Sequence, residues 1–149
     1  MGKLRPPIWY LNTDLRLQSR GNLLPLVRAL ERGGMYRLHV ENSKTGDNWA
    51  CLELEKRSRT PDGDIKSMLK LIENLSPAAR RIWDQCHLRE MNPGYDSGFS
   101  PACGRFNHNI PVRTLRRMSD ANLSLRITIY PPDEDGPPAD LSTRAQRAR

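Results

Sequence analysis

Two alternating runs joined by a polar connector decide the fold: Met35-Tyr36-Arg37-Leu38-His39-Val40-Glu41-Asn42-Ser43-Lys44-Thr45-Gly46-Asp47-Asn48-Trp49-Ala50-Cys51-Leu52-Glu53-Leu54. In the first run, alternation places Tyr36, Leu38 and Val40 on one face and Met35, Arg37 and His39 on the other. In the second run, Ala50, Leu52 and Leu54 oppose Trp49, Cys51 and Glu53. The connector contains only residues that favour turns, so the stretch predicts a β-hairpin.

A strand and a helix precede this hairpin. Residues Ile8–Leu17 begin apolar and then alternate, which predicts a first strand with a bulge or an exposed strand end near Asn12–Asp14. Ser19 or Asn22 then caps a helix that ends near Arg32. The apolar residues of that helix share one face: Leu23, Leu26, Val27 and Leu30.

A helical region and a strand follow the hairpin. Asp62 or Asp64 caps a helix whose apolar face is formed by Ile65, Met68, Leu69, Ile72 and Leu75. Ser76-Pro77 is a second helix start, so this region is either one long helix or two helices broken at Ser76. Leu88–Asn92 predicts the fourth strand, which Pro93-Gly94 would stop.

The C-terminal part adds a loop, a helix, a strand and a tail. Residues 95–109 lack periodicity, and the spacing of Val112, Leu115, Met118 and Ala121 then predicts a third helix. Leu123–Tyr130 alternates as a last strand, and the Pro-, Asp- and Arg-rich residues 131–149 predict a flexible tail. The order β-α-β-β-α-β-α-β predicts an α+β domain over residues 1–130, with helices on one face of a mostly antiparallel sheet. Its first six elements match a ferredoxin-like core.

Composition favours one soluble domain. The chain has 149 residues, of which 37% are hydrophobic and 28% charged. No apolar run is long enough to cross a bilayer and no signal peptide is present, so we expect a cytoplasmic protein without a membrane partner. Three cysteines at irregular spacing do not suggest a disulfide framework, and we expect reduced thiols.

The charge is concentrated in the predicted domain. The whole chain carries a formal charge of +7, and residues 1–130 carry 21 basic and 13 acidic side chains. Such a balance favours long-range attraction to nucleic acid or to an acidic protein, without specifying either.

Functional groups are densest in the segment Cys86–Gly98. Together with strand one, this segment supplies a set of candidate catalytic residues: Asp14, Arg89, Glu90, Asn92, Tyr95 and Asp96, with Asn12 beside them. Paired carboxylates suit acid and base chemistry, and His39 or His87 would serve as a general base. The structural alternative is a surface ion pair at Arg89-Glu90 followed by a turn.

A metal or cofactor site is not expected. Cys86, His87, Cys103 and His108 are ligand types that zinc selects, but adjacent Cys-His residues chelate poorly and no Cys-x-x-Cys knuckle is present. No phosphate-binding Gly-rich loop occurs either.

Basic residues of the predicted helices are candidates for nucleic-acid binding. The main stripe consists of Arg113, Arg116, Arg117, Arg80 and Arg81, with Lys56, Arg57 and Arg59 as further members. Stacking partners for bases would be Trp9, Tyr10, Trp49 or Tyr130, if they lie on the open face of the sheet. The alternative is a solvated basic helix face, and the sequence motif of an RNA-recognition domain is absent.

Three segments resemble an uncharacterised bacterial domain family: Asn12-Thr13-Asp14-Leu15, Arg89-Glu90-Met91-Asn92-Pro93-Gly94-Tyr95-Asp96-Ser97-Gly98, and Leu125-Arg126-Ile127-Thr128-Ile129-Tyr130-Pro131-Pro132. The resemblance covers most of residues 9–132 and implies a single domain. That family more often has Cys where Ser97 stands, and it has no known activity.

Three classes of function follow from these patterns. The first is a non-enzymatic interaction module that binds a macromolecular partner, in particular an acidic protein. The second is a nucleic-acid-binding protein that uses the third helix, and the third is an enzyme with its site around Arg89–Asp96. An exposed sheet edge would also permit a homodimer.

Overall fold

The computed structural model describes residues 8–97 and 106–131. The elements in chain order are β1 (Trp9–Ser19), α1 (Leu24–Arg32), β2 (Met35–Glu41), β3 (Asn48–Leu54), α2 (Pro61–Glu73), α3 (Pro77–Gln85), β4 (Leu88–Asp96), α4 (Val112–Asp120), β5 (Ser124–Leu125) and β6 (Thr128–Tyr130). The predicted α+β class is confirmed. The predicted tail lies almost entirely outside the described residues, as do residues 98–105 of the predicted loop.

The sheet is open and mostly antiparallel. Its strand order is β2-β3-β1-β4-β5, and β6 also pairs with β4. Among the strands of the described residues, the pairings of β4 with β5 and with β6 are parallel and the others antiparallel. In the described part of the chain, no helix has the length and apolar character needed to cross a membrane.

The core lies between the helices and one face of the sheet. Leu15 and Leu17 of β1 and Leu52 of β3 are fully buried there, as are Met68 and Leu69 of α2. These are the positions that alternation in the strands and the 3.6-residue period in the helix had predicted. The opposite face of the sheet therefore carries the polar residues that alternate with these core residues along the strands.

The second helical region is broken at Ser76. α2 ends at Glu73, and α3 begins at Pro77 with the Ser76 side chain accepting a hydrogen bond from the Ala79 amide at 3.2 Å. This cap, together with a proline at the first helical position, fixes a new helix start. Of the two predicted alternatives, the broken one is observed.

The prediction of which β2 residues share a face of the sheet is wrong after Arg37. In the pairing with β3, Arg37 lies opposite Leu52 and His39 lies opposite Cys51, so Leu38 is an extra residue. This bulge inverts the alternation, because each strand residue points to the face opposite that of its neighbour. Met35 faces the core and is buried, whereas Tyr36 lies on the open face and is 40% exposed.

β4 continues through the predicted stop. Pro93 lies within the strand and pairs with Thr13 of β1. Proline removes a backbone donor, which a central strand normally needs. On the other side of β4, however, the neighbouring strand is interrupted between Leu125 and Thr128, so the pairing gap coincides with Pro93. This interruption also splits the predicted last strand into β5 and β6.

Candidate functional site

The open face of the sheet carries an unusual number of buried polar side chains. In β1, Asn12, Asp14 and Arg16 alternate with the core residues and so point away from the helices. In β4, Glu90 and Asn92 do the same. Asn12, Glu90 and Asn92 are each less than a tenth exposed, although none of the described helices covers this face. Buried polar groups need partners, and here they satisfy one another.

One row of these side chains runs across four strands. His39 of β2 is opposite Cys51 of β3, and Cys51 is opposite Arg16 of β1. Arg16 is in turn opposite Glu90 of β4. The row places a thiol between an imidazole and a guanidinium, because opposite residues of neighbouring strands share a face.

The row ends in two guanidinium groups that share one carboxylate. Arg16 Nη1 lies 3.1 Å from Glu90 Oε1, and Arg126 Nε lies 3.0 Å from the same oxygen. The Glu90 side chain is only 7% exposed, whereas that of Arg126 is 55% exposed. Two positive charges therefore meet one negative charge, which leaves a positive excess at this end of the face.

A second row lies two residues further along β1 and β4. Asp14 is opposite Asn92, and Thr128 donates a hydrogen bond to Asn92 Oδ1 at 2.8 Å. Asn12 Nδ2 donates to Asp14 Oδ1 at 2.9 Å and also to the buried carboxylate of Glu53. This end of the face carries two carboxylates, those of Asp14 and Glu53.

An aromatic wall closes one side. The rings of His39 and Trp49 are stacked, with centroids 4.2 Å apart and planes 20° from parallel. Trp49 Nε1 donates to Glu41 Oε2 at 2.5 Å, which fixes the indole. Wall and rows together enclose a cleft of about 560 Å³, lined among others by Asp14, Arg16, Cys51, Asn92, Arg126 and Tyr130.

The sequence-predicted catalytic set is only partly brought together. Asp14 and Asn92 line the cleft, and Glu90 holds its two arginines. Arg89 and Tyr95 occupy the intervening positions of β4 and point to the helices. There the Arg89 guanidinium donates to the Trp83 carbonyl at 2.8 Å, and the Tyr95 hydroxyl lies 3.2 Å from His108 Nδ1.

Asp96 lies apart from the cleft, fully buried at the end of β4, where it is opposite both Trp9 and Tyr130. Burial raises the pKa of Tyr95 above its ordinary value.

Five residues that line the cleft were not singled out as site residues from the sequence: Arg16, Leu38, Cys51, Arg126 and Thr128. Arg16, Cys51 and Thr128 are separated from the segment Cys86–Gly98 along the chain, and strand pairing alone brings them together. The available signal was alternation in β1, which puts Arg16 on the face of Asp14.

The arginines of the predicted basic stripe fall into two groups, those bonded to neighbouring elements and those exposed to solvent. Arg117 makes two hydrogen bonds of 2.8 Å to the carboxylate of Glu73 on α2, which holds the pKa of Glu73 below its usual value. Arg80 donates to the Ile72 carbonyl. Arg81, Arg113 and Arg116 are exposed. The exposed arginines belong to the helix layer and the cleft lies on the opposite side, so they do not flank Trp49 and Tyr130.

Tyr10, also considered as a stacking residue, points to the helices and bonds Asp64 and Thr13. Burial, followed by the hydrogen bond to Asp64, raises its pKa far above the ordinary value.

The residues considered for zinc do not form a described site. Cys86 is buried beneath α3, where its Sγ lies 3.4 Å from the Ile82 carbonyl, and exposed His87 lies 3.7 Å from Asp47. Cys103 lies outside the described residues. Among residues 8–97 and 106–131, no group of three His, Cys, Asp or Glu side chains is arranged to hold a metal ion.

Comparison of the chain with family models, curated proteins and solved structures finds no match. The resemblance to a bacterial family stays a prediction, and function has to be argued from the cleft.

Proposed function

We propose that the protein is a binding module whose open-face cleft takes a small zwitterionic ligand with a ring side chain, such as an aromatic amino acid. The main support for this proposal is that three features line the same cleft. These are a positive end with Arg16 and Arg126, an acidic end with Asp14, and the aromatic wall of His39 and Trp49. Its volume of about 560 Å³ is in the range of small-molecule sites, about 300–1,000 Å³.

The positive end suits a carboxylate. Arg16 and Arg126 share Glu90, and both line the cleft. A ligand carboxylate beside them would balance the excess charge and accept charge-assisted hydrogen bonds, each contributing about 1.5–3 kcal/mol.

The acidic end suits an ammonium group. Asp14 and Asn92 lie two residues from Arg16 and Glu90 along their strands, a separation of about 7 Å. A ligand lying above the face would reach both ends with hydrogen bonds of about 2.9 Å if its two charges lie close together. An α-amino acid has this arrangement.

The aromatic wall suits a ligand with an aromatic ring. His39 and Trp49 present a stacked aromatic surface, and partly buried Leu38 also lines the cleft. An aromatic side chain packed there would gain about 0.5–1.5 kcal/mol beyond its area burial.

We also propose a ferredoxin-like core for β1 to β4. The strand order β2-β3-β1-β4, with helices in the connections from β1 to β2 and from β3 to β4, supports it. A cytoplasmic location is likewise proposed, and the absence of a disulfide at Cys51 and Cys86 among the described residues supports it.

The proposal keeps the non-enzymatic binding class expected from the sequence and changes the kind of ligand. A macromolecular, acidic protein partner stays a prediction. Nucleic-acid binding is a second candidate, which the exposure of Arg81, Arg113 and Arg116 on the helix layer favours.

Calorimetric titration tests the proposal with a matched ligand set. Phenylalanine is compared with phenethylamine, which lacks the carboxylate, and with phenylpropionate, which lacks the ammonium. We expect phenylalanine to bind at least about tenfold more tightly than either, since each loses one charged contact. Arg126→Gln should selectively weaken the binding of phenylalanine and phenylpropionate, which both have the carboxylate. Asp14→Asn should selectively weaken the binding of phenylalanine and phenethylamine, which both have the ammonium group.

Arg113→Gln on the helix layer is the control and should change nothing. Equal affinities for the three compounds, or no binding by phenylalanine, tyrosine, tryptophan and histidine, would contradict the proposal.

A further inference from the structure

We propose that the protein forms a homodimer in which one edge of the sheet, residues 124–130, pairs antiparallel with the same edge of a second copy. The inference goes beyond the proposed ligand site and does not depend on it.

The backbone of this edge carries the proposal. β5 and β6 lie at the end of the sheet, and no described strand lies on their outer side. Arg126 donates an amide hydrogen bond of 2.9 Å to β4, and the Tyr130 carbonyl accepts one of 3.0 Å from the residue after β4. Backbone groups alternate in direction along a strand, so those of Leu125, Ile127 and Ile129 point outwards.

The interruption between β5 and β6 does not shift this edge. The pairs Met91↔Leu125 and Gly94↔Thr128 have the same offset, so both strands advance by the same number of residues across the gap. The missing pairing coincides with Pro93, which has no amide to donate. β5, β6 and the residues between them therefore form one continuous edge.

The side chains that alternate along this edge are large, apolar and exposed. Leu125, Ile127 and Ile129 are between 39% and 62% exposed. They share the helix side of the sheet, because Leu125 pairs with the core residue Met91 and Ile129 pairs with Tyr95. An unpaired edge with exposed apolar side chains is a template for pairing with another strand.

The opposite edge of the sheet, β2, is protected against such pairing. It has a bulge at Leu38, and its Arg37 guanidinium is paired with Glu31 at 2.6 Å. Bulges and charged side chains are common means of blocking an edge strand. Residues 124–130 keep an unshifted register with β4 and contain one charged side chain, that of Arg126.

A two-fold axis at Ile127 uses every outward-pointing backbone group. Ile127 then pairs with Ile127 of the partner subunit, and Leu125 pairs with Ile129 of the partner subunit. Three such pairs would exchange about six hydrogen bonds and bring the apolar side chains together. On the open face, Arg126 lies opposite Thr128 of the partner subunit, so like charges do not meet. The partner thus contributes a hydroxyl group beside the cleft that Arg126 lines.

A second copy matches this edge better than the rest of the chain does. Residues 132–149 contain four acidic side chains and three prolines, and Leu141 is their single large aliphatic residue. Residues 98–105 contain two glycines and a proline. These compositions disfavour an added strand, whereas the edge itself supplies β-branched and apolar residues.

The test is sedimentation velocity of the full chain from about 1 μM to about 1 mM, because pairing of a single strand gives a small interface and a reversible dimer. The mass should rise from 17.1 kDa towards twice that value. Ile127→Lys places two like charges opposite each other on the axis and should raise the dissociation constant at least about tenfold. Val112→Lys, the same kind of change at an exposed residue of α4, is the control and should leave the dimer unchanged.

Hydrogen exchange on the natural chain gives a second readout that needs no variant. The amides of Leu125, Ile127 and Ile129 should become more protected as the protein concentration rises. A monomer at every concentration, or equal weakening by Ile127→Lys and Val112→Lys, would overturn the proposal. Protection of these amides that is independent of concentration would also overturn it, because another part of the same chain would then cover the edge.

Discussion

Glu90 is the residue on which the positive end of the cleft depends. It is buried, and one of its oxygens accepts from both Arg16 and Arg126. Glu90→Gln keeps the shape but makes both contacts weaker, because the acceptor is no longer charged. We expect a loss of about 1–2 kcal/mol in the free energy of unfolding, measured with urea.

The matched control for Glu90→Gln is Glu31→Gln. Glu31 pairs with Arg37 at 2.6 Å in a more exposed setting, so its loss should be below about 1 kcal/mol. Equal losses for the two variants would show that burial of Glu90 adds nothing.

Cys86 gives a pH dependence with a defined sign. Burial raises its thiol pKa from about 9 to about 11. Between these values the unfolded chain has lost the proton and the folded chain retains it, so this contribution is full below about pH 9 and falls as pH rises towards 11. The contribution is about 2–3 kcal/mol.

Cys86→Ala removes that contribution and also leaves a cavity. The stability difference between the natural chain and the variant should therefore shrink from about pH 8 to about pH 11 in urea unfolding. A difference independent of pH would contradict the assigned burial effect.

At the scale of single residues, the sequence identified half of the site. Asp14, Glu90 and Asn92 were predicted from the local density of functional groups, and all three lie on the open face, where Asp14 and Asn92 line the cleft. Arg89 and Tyr95 were predicted by the same argument and point to the helices. Adjacent residues of a strand face opposite ways, so density along the chain cannot identify a surface until the core face is known.

Among the elements, α2 depends on its N-terminal cap. Thr60 Oγ1 accepts from the Gly63 amide at 3.2 Å, and Pro61 occupies the first helical position. Thr60→Ala should lower the free energy of unfolding by about 1 kcal/mol.

Ser67→Ala in the same helix is the control for Thr60→Ala. The Ser67 hydroxyl only donates back to the Gly63 carbonyl at 3.1 Å, and alanine is the better helix former, so stability should stay within about 0.5 kcal/mol of the original. Thermal or urea unfolding of both variants checks the difference, and an equal loss from both would argue against a capping role for Thr60.

The helices were predictable as elements from their apolar period, but of the predicted caps only Ser76 is correct. α1 begins after Leu23 without a side-chain cap, not at a capping Ser19 or Asn22, and α2 is capped by Thr60, because Asp62 and Asp64 already lie in its first turn.

The strands were predictable in existence but not in detail. The bulge at Leu38 depends on pairing with β3, and tolerance of Pro93 depends on the gap between β5 and β6. Both features depend on the neighbouring strands, so the local sequence pattern does not predict them.

Across the whole molecule, charge is divided between the two sides. The open face holds Glu53, Glu90 and Asp14 with Arg16 and Arg126, whereas the helix layer holds exposed Arg113 and Arg116. Among these residues, the excess of arginine over carboxylates lies on the helix layer.

This division predicts how the two candidate functions separate. The double change Arg113→Glu and Arg116→Glu should weaken any binding to labelled RNA or DNA and reduce its salt dependence, while phenylalanine affinity stays unchanged. Arg117 is left intact because its pair with Glu73 joins α4 to α2. Fluorescence anisotropy across a salt series is the measurement. Nucleic-acid binding that survives the reversal would exclude α4 as the binding surface.

Mapping phenylalanine binding on the protein by NMR tests most directly whether the open face of the sheet is the binding site. Amide chemical shifts are followed during titration with phenylalanine. We expect perturbations grouped around Arg16, Cys51, Asn92 and Thr128, with little change in α3 and α4. Shifts confined to the helix layer, or no shifts at all, would contradict the assignment of the open sheet face as the binding site.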